Sequence, residues 1–239
     1  MRLTAGVRLF VVALVLLPGM DGTGTLFQPL IEEIGGFFNI KVVQYPTQEA
    51  LGYEELEELV LKALPTDAPF LLLGESFSGP IAISIAAAQP AGLVGLILCS
   101  TFATNPRPLL SAFRPLVNAL PPRLAPVALL DYLLLGRHST RALRLAIASA
   151  VAQISSSAFG ARLDAVHSVN VLRKLKLISA PVLYLQAAED RVVPSTAASS
   201  IQKELPTARV VPIDAPHCLL QVAPGNAASI IKLFASEVH

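Results

Sequence analysis

The sequence contains few of the residues that mark a disulfide-rich, zinc-binding or disordered protein. Only two of its 239 residues are cysteines, Cys99 and Cys218, and they lack the CxxC or Cys/His spacing of a zinc site. Charged residues make up only 15% of the chain and hydrophobic residues 53%, a balance that excludes disorder. We therefore expect neither a disulfide framework nor a metal, and a cytoplasmic location.

Long hydrophobic runs are also missing. The clearest ones, residues 9–17 and 81–88, fall short of the roughly 18 residues that a membrane-spanning helix needs. Arg2 and Arg8, followed by the first run, would also suit a signal peptide, but no A-x-A cleavage site follows. Because a glycine-rich turn comes next, we interpret residues 9–17 as a buried strand of the mature protein.

The chain has almost no excess of charge, with a formal net charge of +1, and we expect no nucleic-acid partner. The charges are unevenly distributed, however. Residues 102–176 contain ten Lys or Arg against two acids, whereas the rest contains eight against fifteen. This basic segment could contact an anionic partner, such as an acidic membrane surface or a phosphate-bearing thioester carrier. A solvated helix face explains it equally well.

Six short apolar runs alternate with helical patterns along most of the chain. Such continuous runs are typical of strands buried on both faces of a parallel sheet. They cover residues 9–17, 40–45, 70–74, 93–100, 182–187 and 208–213. We predict an α/β fold with a mostly parallel sheet of about six strands.

Residues 102–175 interrupt this alternation. The segment begins with a proline-rich stretch, continues with helical patterns and has no strand signal. We therefore divide the chain into a core domain, residues 1–101 and 176–239, and a helical cap insertion, residues 102–175. We expect the insertion to cover the C-terminal edge of the sheet.

The stretch FLLLGESFSGP carries the most specific chemical signal. An apolar strand ends near Gly74, Ser76 follows at a tight turn, and a helix begins at once with the small residues Ser78 and Gly79. This arrangement is typical of a nucleophile elbow, which exposes a serine at the end of a strand. The alternative is a serine that merely caps the helix.

A nucleophilic serine needs a base, and the base needs an orienting acid. The expected chain order of serine, acid and histidine is met by Ser76, Asp190 and His217, and both later residues follow predicted strands. Asp214 is a rival acid. We prefer Asp190, because Asp214 lies only three residues before His217 and fits a turn better.

Attack on a carbonyl also requires hydrogen-bond donors for the developing oxyanion. One is expected to be the backbone N–H of Phe77, directly after the nucleophile. The other is expected from the loop after the first strand, LLPGMDGTG, where we assign the N–H of Met20. The glycines of this loop fit neither a P-loop, since no lysine follows, nor the dinucleotide-binding spacing. No cofactor or metal is needed.

The segments PGMDGTG, GESFSG, AAEDRVVP and APHCLLQVAP together resemble the α/β-hydrolase superfamily over nearly the whole chain. The first two are similar to a branch with bacterial esterases and lipases and the hydrolase-like domain of plant phytyl ester synthases. The resemblance implies Ser76 as nucleophile, Asp190 as acid and His217 as base. Family members usually have His-Gly before the oxyanion residue, where Pro18 and Gly19 stand here. They also have two strands ahead of that loop, so we expect a trimmed sheet.

These features predict a serine carboxylester hydrolase that cleaves small-molecule esters with apolar acyl groups through an acyl-enzyme on Ser76. The leucine-rich insertion could line an acyl tunnel, or it could simply pack its helices together. A thioesterase or acyltransferase would use the same triad. A ligand-binding homologue without catalysis is the alternative from a different class.

Overall fold

The computed structural model describes residues 12–108 and 127–238. At its centre lies a six-stranded sheet in the order β2-β1-β3-β4-β5-β6, in which all neighbouring strands are parallel. The strands are β1 (Ala13–Leu17), β2 (Asn39–Val42), β3 (Phe70–Glu75), β4 (Leu93–Cys99), β5 (Val182–Ala187) and β6 (Arg209–Ile213). The predicted α/β class and the six strands are confirmed.

Nine helices connect the strands or pack beside them in the described segments. They are α1 (Gln28–Ile34), α2 (Tyr53–Ala63), α3 (Gly79–Ala87), α4 (Val127–Leu134), α5 (Arg141–Ala152), α6 (Ser156–Ser168), α7 (Thr196–Glu204), α8 (Leu219–Val222) and α9 (Pro224–Val238). No single one of them is long and apolar enough to cross a membrane.

The start of β1 and the end of β2 differ from the predicted strands. β1 begins at Ala13, and residues 9–11 of the predicted strand lie outside the described residues. β2 ends at Val42, three residues before the predicted end, because the chain then turns toward the glycine-rich loop. The Tyr45 N–H donates to the carbonyl of Gly22 at 2.8 Å, so the end of the apolar run pairs with that loop instead of the sheet.

Both faces of the central strands are buried, which explains their continuous apolar sequence. In β1, Leu14 and Leu16 pack on one face of the sheet with α1 and α9, while Val15 and Leu17 pack on the other with α2 and α3. The edge strand β2, in contrast, has no fully buried residue. Two hydrophobic cores, one on each face of the sheet, therefore fix the positions of the central strands.

The predicted insertion is helical where the structure describes it. Residues 127–177 form α4 to α6, with short 3-10 turns at Gly136–His138 and Leu172–Leu177. Thr104 and Asn170 form an isolated antiparallel bridge at the base of this segment. Residues 109–126 of the predicted cap lie outside the described residues, and the boundaries at 102 and 175 stay a prediction.

Several basic side chains of residues 102–176 form ion pairs within the protein or are buried. The Arg137 guanidinium lies 2.5 Å from the Glu189 carboxylate, and the Lys176 ammonium lies 3.1 Å from that of Glu204. Arg162 is fully buried. Arg137 thus joins the predicted cap to the core domain, and Lys176 pairs within the core domain, so these contacts account for part of the basic excess inside the protein.

Candidate active site

Ser76 lies at the sharp turn between β3 and the 3-10 turn Ser76–Ser78 that leads into α3. Its φ of 48° is in the left-handed region that non-glycine residues rarely adopt, as expected at a nucleophile elbow. A Cβ at Gly74 would lie 2.7 Å from the Cβ of Ala82, and one at Gly79 would lie 1.9 Å from the Thr101 hydroxyl. The tight turn therefore requires glycine at both positions.

The three residues predicted from sequence to form a triad meet at this turn. The Ser76 Oγ lies 2.8 Å from Nε2 of His217, and Nδ1 of His217 lies 2.8 Å and 3.0 Å from the two carboxylate oxygens of Asp190. The side chains of His217 and Asp190 are only 8% and 5% exposed. With the Nδ1 proton directed at Asp190, Nε2 is free to accept the serine proton.

The structure distinguishes Asp190 from its rival Asp214. The N–H groups of Val192 and Val193 both donate to Oδ1 of Asp190 at 2.8 Å and hold that carboxylate toward the histidine. The side chain of Asp214 is 74% exposed, and it accepts a hydrogen bond from Arg137 at 2.9 Å. Asp214 thus lies at the surface, and its carboxylate is hydrogen-bonded to Arg137, whereas Asp190 is the partner of the imidazole.

The loop predicted to bind the oxyanion lies beside the elbow, because β1 pairs with β3 and Leu17 is next to Gly74. Within the described segments, no hydrogen bond engages the N–H of Met20 or of Phe77. The hydroxyl of Ser78 donates to the carbonyl of Pro18. This serine stands where the family usually has a second glycine, and it links the elbow directly to the loop.

Comparison with known protein families shows which family this chain belongs to. A family model described as serine aminopeptidase S33 matches residues 53–219, which include the elbow and all three triad positions. The chain belongs to this family. It is an α/β hydrolase, with the fold that the sequence motifs predicted.

The chain is similar to one curated protein over part of its length, and its fold is similar to that of several solved structures. Phytyl ester synthase 1 of Arabidopsis thaliana is 29% identical over 117 residues, which are 46% of this chain and only 17% of that protein. The structure is similar to a thermophilic esterase from Thermogutta terrifontis, with 20% identity, a TM-score of 0.81, and coverage of 95% of this chain and 90% of that one. It is also similar to an enol-lactonase from Burkholderia xenovorans LB400, with 15% identity, a TM-score of 0.79, and coverage of 95% of this chain and 91% of that one.

A cavity of about 290 Å³ opens beside Ser76 and His217 of this hydrolase. Ser76, His217 and Met20 line one side of it, and apolar side chains of the cap line the other. The apolar residues are Leu130, Leu133, Leu134, Ile147, Val151, Ile154 and Phe159. Three leucines of the insertion, Leu130, Leu133 and Leu134, therefore line the same cavity as Ser76. Residues 109–126 of the insertion lie outside the described part of the chain.

Two polar side chains in the cavity wall were not identified from the sequence. Glu75, directly before Ser76, accepts a hydrogen bond from the Gln221 amide at 3.0 Å, and that amide also donates to the Leu26 carbonyl at 3.2 Å. Burial raises the pKa of Glu75 to about 7. Gln221 follows His217 on the next helix, α8, so this pair connects the elbow to the histidine segment.

Arg162 was missed as well. This fully buried residue of α6 donates to the carbonyl of Met20 at 2.7 Å and to that of Pro46 at 3.0 Å. Its guanidinium also lies over the Tyr45 ring, 5.7 Å from the centroid. Gly22 has a φ of +74° and leaves room for it, since a Cβ there would lie 2.5 Å from the guanidinium. Helix α6 therefore holds the predicted oxyanion loop through the side chain of Arg162.

One group near the site has the composition of a metal centre. The ligand atoms of His138, Glu189 and Asp214 lie within 4.8 Å of one another. The Arg137 guanidinium, however, already contacts both carboxylates, at 2.5 Å and 2.9 Å. A divalent cation would have to displace this positive charge, so we assign the group to an ion-pair cluster at the surface.

Proposed function

We propose that this α/β hydrolase is a serine carboxylester hydrolase for esters with apolar acyl groups. The observation that carries the proposal is the continuous hydrogen-bonded relay from Ser76 through His217 to Asp190, set in the wall of an apolar cavity. A serine that only capped α3 would need neither a histidine acceptor at 2.8 Å nor a buried carboxylate behind it.

In the first half of the reaction, His217 takes the Ser76 proton at Nε2 as the oxygen attacks the ester carbonyl. The resulting oxyanion is stabilised by the N–H groups of Phe77 and Met20. His217 then gives the proton to the leaving alcohol, the ester C–O bond breaks, and the acyl group remains on Ser76. Asp190 stabilises the imidazolium throughout.

In the second half, water donates a proton to His217 Nε2 and attacks the acyl-enzyme. A second oxyanion forms and collapses, Ser76 regains its proton, and the carboxylic acid leaves. The surrounding cavity supports an apolar acyl group, because the described cap residues that line it are all aliphatic or aromatic. No metal or redox group is required for any step.

Acyl transfer to an alcohol in place of water is the second candidate. It is favoured by one observation, the 29% identity to a protein whose name is phytyl ester synthase. The same acyl-enzyme would serve, and the outcome would depend on whether alcohol or water reaches it first.

A panel of p-nitrophenyl esters, acyl thioesters and aminoacyl p-nitroanilides tests the proposal. We expect turnover of the esters, labelling of the wild type by a fluorophosphonate probe, and loss of both in Ser76→Ala with the fold intact by circular dichroism. Addition of a long-chain alcohol distinguishes the two candidates through the ratio of ester product to free acid. Absence of labelling, or equal labelling of Ser76→Ala, would favour a binding protein without catalysis.

A further inference from the structure

A second cavity, of about 210 Å³, lies beside the catalytic cavity between α1 and α5. We call it the outer cavity. Pro29 and Gln28 line it from α1, and Leu143 and Ala146 line it from α5. Leu26, Ile147 and Gln221 line both cavities. These three side chains therefore form the wall between the catalytic serine's cavity and the outer one.

The three wall residues differ in how firmly the structure holds them. Gln221 is fixed by its hydrogen bonds to Glu75 and to the Leu26 carbonyl. Leu26 belongs to the 3-10 turn that follows the oxyanion loop. Ile147 is 7% exposed and contributes only an aliphatic side chain, packed in a small cluster with Leu135 and Cys218. The side chains of Leu26 and Ile147 can each be shortened without loss of a hydrogen bond, but Leu26 lies in the turn after the predicted oxyanion loop, whereas Ile147 lies in helix α5 away from that loop.

We propose that Ile147 sets the longest acyl chain that the enzyme accepts, and that the outer cavity is a latent subsite for the distal methylene groups of a linear saturated chain. The inference rests on the proposed ester hydrolysis, since it assumes that the acyl group occupies the catalytic cavity. An apolar occupant fits the outer cavity, because Leu26, Pro29, Leu143, Ala146 and Ile147 line it. Of the polar residues that line it, Thr25, Gln28 and Glu32 are exposed, and Gln221 is hydrogen-bonded to Glu75 and to the Leu26 carbonyl.

Binding of linear methyl ketones of increasing chain length tests this without depending on turnover, because such ketones carry a carbonyl but cannot be hydrolysed. In the wild type, affinity should rise about fourfold for each added methylene group and then level off when the chain reaches Ile147. In Ile147→Ala the rise should continue over several further methylene groups. In Ile147→Phe it should level off earlier.

Two control variants show where the extra length goes. Leu143 lines the outer cavity but not the catalytic one, so Leu143→Phe alone should leave the wild-type profile unchanged and should cancel the gain when combined with Ile147→Ala. Ile178 has the same 7% exposure as Ile147 and lines neither cavity. Ile178→Ala therefore removes the same atoms elsewhere and should keep the wild-type profile.

Hydrolysis of p-nitrophenyl esters of the same lengths, measured in parallel, separates this inference from the proposed function. Normal hydrolysis with an unshifted length profile in Ile147→Ala overturns the inference and leaves the function. A shifted ketone profile in a protein that hydrolyses no ester overturns the proposed function and leaves the role of Ile147 in chain length. A gain that persists in the double variant shows that the chain leaves by another route and overturns the outer-cavity subsite.

Discussion

The guanidinium of Arg162 holds the carbonyl oxygen of Met20 at 2.7 Å, across a separation of 142 residues. Burial lowers the pKa of this arginine, and the nearby Asp21 carboxylate and Tyr45 oppose that shift. A buried cation is costly unless its contacts are good. Here it fixes the peptide that follows the predicted oxyanion donor and brings a positive charge behind the site of oxyanion formation.

Replacement of Arg162 by methionine should lower kcat by about tenfold to a hundredfold with little change in KM, because removal of a fixed oxyanion donor typically costs 10² to 10³. The affinity for a boronic acid inhibitor, which mimics the tetrahedral intermediate, should fall in parallel. Free guanidine should partly restore kcat in Arg162→Gly. The exposed Arg173→Met serves as the control. Equal losses of ground-state and boronate affinity would assign Arg162 a purely structural role.

The two candidate acids can be told apart by amide substitution. Asp190→Asn should lower kcat by about 10⁴, because an amide favours the wrong histidine tautomer. Asp214→Asn should change kcat by no more than about twofold, since that side chain is 74% exposed and bonded to Arg137. Steady-state kinetics with one p-nitrophenyl ester measures both. A large loss in Asp214→Asn would reverse the assignment.

Two glycine-to-alanine substitutions should have opposite effects on stability. Gly79→Ala places a Cβ 1.9 Å from the Thr101 hydroxyl and should lower the free energy of unfolding by about 1–3 kcal/mol. Gly160→Ala adds a Cβ in open space on α6 and should raise it by up to about 1 kcal/mol, through better helix propensity. Urea denaturation compares them. Equal effects would contradict the tight packing of the elbow.

The buried Glu75 should make stability depend on pH. Its pKa rises from 4.5 to about 7 on folding, so the native state binds the proton more tightly than the unfolded state does. Its contribution is therefore complete below about pH 4.5 and is lost as the pH rises through about 7, on the order of 3 kcal/mol in all. Glu75→Gln should flatten this decline between pH 5 and 8 in urea titrations. An identical decline in the variant would assign it to other groups.

Local sequence patterns were sufficient for the fold. A strand buried on both faces must be apolar at every position, and a strand with one exposed face need not be, so residues 70–74 and 93–100 predicted β3 and β4 with little error. The second strand was placed too far toward the C-terminus. Its apolar residues up to Tyr45 are buried against the glycine-rich loop, and burial by a loop leaves the same sequence signal as burial in a sheet.

The sequence predicted those residues of the candidate site that come directly after a strand. Ser76, Asp190 and His217 each come just after a strand, and parallel strands bring their C-terminal ends to one edge. Arg162 and Ile147 follow no such rule. Both lie in helices among many similar residues, and only packing shows that one reaches the Met20 carbonyl and the other separates two cavities.

The sequence by itself determined the order of the strands along the chain, the sharp turn at Ser76, and the choice of an alcohol, an imidazole and a carboxylate, because these depend on neighbouring residues and side-chain chemistry. The tertiary structure alone decided which aspartate faces the imidazole, what holds the oxyanion loop, and how far the apolar cavity extends. Each of these depends on the distance between atoms of residues far apart in the chain, and that distance is fixed only when the helices pack onto the sheet.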